Sequence, residues 1–373
     1  MTKKLRVAII GAGIGGLSAA IALQQMGAQV RVYEQARQLG EIGAGVALHR
    51  NSQRVLARLG LAQQVGRRGS RLSEFHLFTP DGTVVSHETY DSGAAQLAMH
   101  RADLIAVLVA ALPAGFVHTG WRCVQFTQSD GSAVVSFDNG VRVGADVVVA
   151  ADGIHSGLQR YVVEPTDPVF SGMVAYRGLI PAARLPGWPQ GLVTWGGDGK
   201  HLIAYPVRAG QLVNYVGFVP ADDQMRESWS APGDPAALAA AFADWTPEAR
   251  RLVSQVEATL KWGLYDRDPL PRWTHGRLTL LGDAAHPMLP HMGQGANQAI
   301  EDAMALAILL RGVSTADAPA ALMRYQKLRR DHTARVQQDA RRNGHRFDSG
   351  QPLSLNHSWV RDYDVEKEAR AVR

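Results

Sequence analysis

The hydrophobic pattern divides the chain into three kinds of segment. LRVAII (residues 5–10) is a short apolar run broken only by Arg6, the pattern of a parallel strand buried on both faces. LSAAIALQQMG (17–27) follows with helical composition, and QVRVYE (29–34) reads as a second strand ending in Glu34. ADVVVAADG (145–153) and LTLLGD (278–283) repeat the buried-strand pattern, and each ends with an acid beside a glycine. Between roughly 165 and 275 the pattern changes. FSGMVAYRGLI, GLVTWGG, HLIAYPV and QLVNYVGFV alternate partially and are separated by Pro and Gly turns, which predicts a mixed or antiparallel sheet. Helical patterns return over 293–310 and 324–346. The expected fold is α/β: a discontinuous domain from residues 1–164 and 276–345, an inserted β-rich domain at 165–275, and a C-terminal tail at 346–373.

Composition narrows the classes. With 373 residues, 46% hydrophobic and 20% charged, the chain fits a globular protein of two domains sharing a sizeable core. Cys123 is the only cysteine, so an intrachain disulfide and a multi-cysteine metal site are excluded. The apolar run after the N-terminal lysines stops after six residues, unlike a signal peptide, and no stretch approaches the ~18 apolar residues of a membrane span. A cytoplasmic protein, not an integral membrane protein, is expected. The formal charge of +5 is concentrated between Arg324 and Arg346, where eight Lys or Arg face only Asp331 and Asp339. Leu322, Tyr325, Leu328 and Val336 fall near helical spacing there, so the segment reads as an amphipathic helix with a solvated basic face, and no nucleic-acid partner is expected. The thirteen histidines include no HExxH or Cys/His cluster at ligand spacing, so no metal is expected.

The first chemical signal is GAGIGG. Gly11, Gly13 and Gly16 sit between strand and helix in the order that gives a tight turn, a backbone surface open to pyrophosphate, and close packing of helix on strand. The helix N-terminus then offers free N–H groups to phosphate. Glu34, 18 residues beyond Gly16, is placed to accept hydrogen bonds from an adenosine ribose. The fingerprint alone serves FAD and NAD equally. Asp152 and Asp283, at the carboxyl ends of two further strands, belong at one edge of the same nucleotide crevice.

Together the Gly11 fingerprint, the Asp152-Gly153 segment and GDAAHP resemble the three signature motifs of the class A, single-component flavoprotein monooxygenases, the family of para-hydroxybenzoate hydroxylase and salicylate hydroxylase. The resemblance runs from residue 5 to about 345. It implies a Rossmann-like FAD-binding domain of the para-hydroxybenzoate hydroxylase type, with an inserted β-sheet substrate domain and C-terminal helices. It also implies FAD as cofactor, with NADH or NADPH as a transient co-substrate. By the same resemblance Asp283 binds the ribityl or ribose part of FAD, Arg101 the phosphates or ribose, and Gly45, in IGAGVAL, lies near the flavin. Pro290 and the Gly293 to Gly295 loop bring backbone close to the flavin ring, with a helix dipole behind. The chain departs from the pattern at Arg50, where many relatives have proline, and at Gln159, where the usual arginine is displaced to Arg160.

The implied reaction hydroxylates a small hydroxylated aromatic or N-heteroaromatic acid, with oxygen activated as a flavin 4a-hydroperoxide. His201 and Tyr205, four apart on a strand, share a face, and His291 precedes the flavin-loop glycines. These three are the candidate catalytic residues, with His49, His286, Tyr215 and Arg177 behind them. The His201/Tyr205 spacing and LPHMGQG are similar to family members that act on 6-hydroxynicotinate, whose further histidine falls at Ala47 here. A monomer or homodimer is expected. A urate-type or other flavin oxidoreductase and a non-catalytic flavin sensor remain alternatives.

Overall fold

Six strands form one sheet, and its three central strands, Leu278–Leu280, Val147–Ala150 and Arg6–Ile10, are buried on both faces almost throughout. In the computed structural model, which describes residues 4–40, 44–90, 95–221, 231–349, 351 and 357–373, this sheet runs Thr274–His275, Leu278–Leu280, Val147–Ala150, Arg6–Ile10, Gln29–Glu34, Val117–Thr119. All neighbours are parallel except the outer Thr274–His275 pair. Residues 147–150 and 278–280 pair side by side although the second sheet lies between them in sequence. Val7, Ile9, Val148 and Val149 are at most 3% exposed. The helices Ile14–Gln25 and Gly295–Leu310 pack on it, and their buried faces join the largest apolar cluster. Among the described residues no helix is long and apolar enough to cross a membrane.

The second sheet runs Pro232–Gly233, Thr259–Asp266, Val169–Pro181, Leu212–Pro220, Lys200–Val207, Gly191–Gly197, Glu74–Phe78, Val84–Thr89. Its register fixes what each face presents. Opposite pairs His201↔Phe218, Ile203↔Val216 and Tyr205↔Asn214 place these side chains on one surface, with Arg177 opposite Val216. Tyr215, one residue out of phase, faces the other way into the Trp245/Phe242 core and donates from its hydroxyl to Ala258 O (3.2 Å), so it is a packing residue, not part of a site.

Three expectations change. The sheet takes the Glu74–Phe78 and Val84–Thr89 hairpin from the first 164 residues, because Glu74–Phe78 pairs in parallel with Gly191–Gly197, a contact no local pattern announces. The C-terminal segment is more than a tail: the Val365–Ala371 helix puts Val365 and Ala369 into the main core. The long helix Ala318–Asp348 is not simply solvated on its basic face either, since Arg329 is fully buried and Arg341 pairs with Asp266 and Asp268.

A small third sheet joins two distant motifs. Gly45–Leu48 pairs antiparallel with Gln96–His100, placing Gly45 opposite His100, and the Arg101 amide donates to Ala44 O (3.0 Å). Residues 42 and 43 of the IGAGVAL segment lie outside the described residues.

Candidate active site

The first glycine turn is dictated by close approach. Gly11 has φ +104°, and a Cβ there would meet Ala151 O at 2.2 Å; a Cβ on Gly16 would meet Gly11 O at 2.0 Å. Neither position accepts a side chain. Gly13 instead has open space beside it and lines a cavity of about 450 Å³ that runs from this turn to the underside of the second sheet.

Around that cavity the structure collects residues far apart in sequence. Arg101, Asp283, Pro290, His291, Gly293 and Gly295 line it, as do Gly45 and Tyr205. Asp283 follows the Leu278–Leu280 strand and its carboxylate is exposed to the cavity. Arg101 is half-buried, and desolvation lowers its pKa while Asp283 acts in the opposite direction, so the two charges sense each other. Gly293 ends the Pro290–Met292 turn at φ +60°, and the Gly295–Leu310 helix starts at once, aiming its N-terminus at the cavity.

The turn carrying Asp283 is held from behind. Asp302 accepts from the Gly282 amide (3.1 Å), lies 2.6 Å from His286 Nε2 and accepts from Arg329 Nε (2.8 Å); all three side chains are 0% exposed. Burial alone would raise Asp302, but His286 and Arg329 outweigh it and hold its carboxyl at about 2. Glu301 pairs with Arg329 at 2.7 Å and accepts from Asn51 Nδ2 (2.6 Å), yet burial pushes it up to about 7. His286 therefore orients the loop, which accounts for it without a catalytic role.

Not every expected residue meets the cavity. Glu34 accepts from the Ala12 and Ala36 amides (both 2.8 Å), fixing the glycine turn from the end of its strand, and does not line the cavity. Asp152 turns back on its own loop and accepts from the Gly157 amide (3.1 Å), leaving Gly153 to face the cavity. Gln159, at the displaced arginine position, is buried and donates to Ala284 O (3.2 Å), tying this loop to the Asp283 turn; Arg160 points away over the Tyr161 ring. Arg50 also points outward, 3.1 Å from Asp362.

Of the three catalytic candidates, two line the cavity. Tyr205 lies against Gly45, where a Cβ would be 2.7 Å from its hydroxyl, and burial raises its pKa, so the hydroxyl keeps its proton. His291 is 8% exposed, and burial, with His201 and His345 nearby, lowers its pKa. His201 is 0% exposed behind it, stacked between Phe218 and Phe347; its ring centroid is 5.1 Å from that of His291, edge to face, and its Nδ1 is 3.2 Å from Asp348. Burial lowers its pKa against the pull of Asp348.

Arg177 stands out more than its sequence suggested. It is 5% exposed in the cavity wall, lies over the Trp262 ring, and is drawn down to about 9 by burial and by Arg101, which leaves it cationic at neutral pH. Thr194 and Gln96, missed by sequence reasoning, also line the cavity, with buried oxygens that have no hydrogen-bond partner among the described residues. Nothing in their local sequence marks them. Phe347, His357 and Arg361 close the same cavity from the C-terminal segment.

A largely parallel sheet whose glycine turn, second helix N-terminus and strand-end acid meet at one elongated cavity, roofed by a mainly antiparallel mixed sheet, defines a dinucleotide-dependent oxidoreductase that encloses its substrate. FAD fits the donor set: open glycine backbone, the half-buried Arg101 cation and the accessible Asp283 carboxylate. The sequence profile of the FAD binding domain family matches residues 4–340. The chain is 39% identical over 356 residues to the 3-amino-4-hydroxybenzoate 2-monooxygenase of Streptomyces platensis, covering 93% of this chain and 89% of that one. It is 34% identical over 383 residues to the 6-hydroxynicotinate 3-monooxygenase of Bordetella bronchiseptica, covering 99% and 97%. A solved salicylate hydroxylase substrate complex matches with a TM-score of 0.87 at 28% identity, covering 99% and 98%. The chain belongs to the FAD binding domain family and is a single-component FAD-dependent aromatic monooxygenase.

Proposed function

We propose that this enzyme hydroxylates a small aromatic or N-heteroaromatic acid bearing a ring hydroxyl or amino group, with NADH or NADPH as electron donor. The observation that carries the substrate class is Arg177, a cation buried in an otherwise largely aromatic and aliphatic wall with Trp262, Phe218 and Val216. A planar acid satisfies both the charge and the flat apolar surface. Relatives named for 3-amino-4-hydroxybenzoate and 6-hydroxynicotinate support the same class.

Gly13 and the Ile14 helix N-terminus would hold the pyrophosphate of FAD, Arg101 and Asp283 its polar chain, and Gly45 with the Pro290 to Gly295 loop its ring. When bound and reduced, FAD supplies an electrophilic oxygen from molecular oxygen to the ring. The protein's part is to bind, orient and deprotonate the substrate while excluding water. Tyr205, protonated, donates to a substrate oxygen. His291, neutral, accepts the proton of the substrate's ring substituent. From there the proton passes to His201, whose ring centroid lies 5.1 Å from that of His291, and leaves at Asp348, which is 3.2 Å from His201 Nδ1 and 24% exposed at the end of the long helix.

Two tests follow from these assignments. Asp283→Ala removes a charged acceptor worth about 1.5–3 kcal/mol and should weaken FAD by ~10- to 150-fold, read from the flavin content retained through gel filtration. Full retention would remove Asp283 from the cofactor site. Asp348→Asn should leave FAD content and substrate KM intact but lower kcat several-fold and steepen its dependence on buffer concentration, with His291→Ala costing ~100-fold or more in kcat. If kcat of Asp348→Asn matches wild type across pH, the proton leaves by another route.

A further inference from the structure

On the outer face of the second sheet, away from the cavity, Glu74, His76 and His87 each offer one ligand atom, and these atoms all lie within 4.8 Å of one another. The arrangement follows from strand geometry. Glu74 and His76 are two apart on one strand and so share a face, and His87 is directly opposite His76 on the next strand. The rings are already ordered: His76 and His87 stack with centroids 4.4 Å apart at 14°, and Phe78 stacks on His76 at 6.0 Å and 7°. His76 Nε2 lies 2.8 Å from the Glu74 carboxylate. Spacing rules for metal ligands pass over this set because its third member comes from the other strand.

We propose that Glu74, His76 and His87 form a binding site for a divalent transition metal of the zinc or nickel type, separate from the flavin reaction. Two imidazoles and one carboxylate suit a borderline-soft ion, whereas calcium and magnesium take oxygen sets of which only one member is present. Turning the two stacked rings so that their in-plane lone pairs converge brings three donors that already lie within 4.8 Å of one another onto one ion, and the sheet supplies the backbone at the required spacing.

The site has a mechanical consequence. Val84–Thr89 is the edge strand, held on one side only. The inner faces of the same hairpin carry Phe75, which lines the cavity, and Leu77, which packs on Phe347; Tyr90, just past the edge strand, lines the cavity and donates to Glu88 (2.9 Å). An ion across the outer face clamps the edge strand to its neighbour and stiffens this wall of the substrate cavity.

The test is calorimetric titration of FAD-loaded enzyme, stripped with chelator, with Zn2+ and separately with Ni2+, for wild type, His87→Gln, His76→Gln and Glu74→Gln. His87 is exposed, so its glutamine variant leaves the fold and the flavin reaction intact. One ion per chain is expected in wild type, weakened roughly 10- to 100-fold or more in each histidine variant. Zn2+ should raise the melting temperature of wild type and not of His87→Gln. Absence of saturable binding overturns the proposal, as does a stoichiometric site that survives both histidine substitutions. The flavin content and turnover of the same samples report separately on the catalytic reading.

Discussion

Replacing Arg177 with leucine is expected to lower kcat/KM for a carboxylated substrate by roughly 30- to 5000-fold, the ~2–5 kcal/mol of a buried charge partner. The size follows from where the guanidinium sits. It is 5% exposed over Trp262, in surroundings that draw its pKa down to about 9, so water screens little of its attraction for an anion. Leucine keeps apolar volume and removes the charge. Steady-state kinetics on an aromatic acid and on its uncharged amide separate the effects: the acid should lose most of its advantage and the amide little. Equal losses on both would show that Arg177 serves packing or the cofactor instead.

Asp302→Ala should destabilise the protein by about 3–5 kcal/mol, the usual cost of leaving a buried charge without its partner. Arg329 would keep Glu301 but lose its second carboxylate, and the Gly282 amide and His286 would lose their acceptor. Because that acceptor anchors the turn carrying Asp283, FAD should dissociate more readily from the folded variant as well. The pH dependence has a definite sign. The folded-state pKa of Asp302, about 2, lies below the ordinary aspartate value. Its contribution is therefore complete above about pH 4 and lost as pH falls toward 2, so the part of the gap owed to Asp302 itself narrows only in acid. Denaturant melts at pH 5 and 3 check this; a gap below about 1 kcal/mol at pH 5 would mean that Arg329 and His286 are satisfied otherwise.

The two substitutions probe different kinds of information. The Asp302 cluster was partly readable. The apolar run ending in Gly282-Asp283 and the helix after Gly295 place an acid-bearing turn at a strand end, but Arg329 read as one more basic residue on a solvated face. Its burial depends on where the Ala318–Asp348 helix docks, and helical periodicity does not specify a docking partner. Arg177 stood among lesser candidates for a similar reason: its strand alternates, but only pairing with Leu212–Pro220 and Thr259–Asp266 shows which face roofs a cavity.

His201 and Tyr205 illustrate both sides. Four-residue spacing on a strand correctly gave them one face, yet Phe218 and Phe347 cover His201 while Tyr205 reaches the cavity. Asp152 is a further case, since the strand end was evident but not the turn of its carboxylate toward the Gly157 amide.

By itself the sequence determined the strand, glycine turn and helix at residues 6–25, the family and its cofactor, the strand that delivers Asp283, and the β-rich roof. The elements rest on periods of two and 3.6 residues and on glycines whose steric demands are local, and the family and cofactor on the resemblance of three motifs to those of the flavoprotein monooxygenases. Only the tertiary structure decided that the Glu74–Thr89 hairpin completes the roof, that the C-terminal segment closes the cavity, that Arg177 and Arg101 sense each other, and that Arg329 is a buried clamp. Each of those contacts joins residues far apart in the chain, where burial and charge pairing depend on which surfaces meet and not on any pattern within either segment.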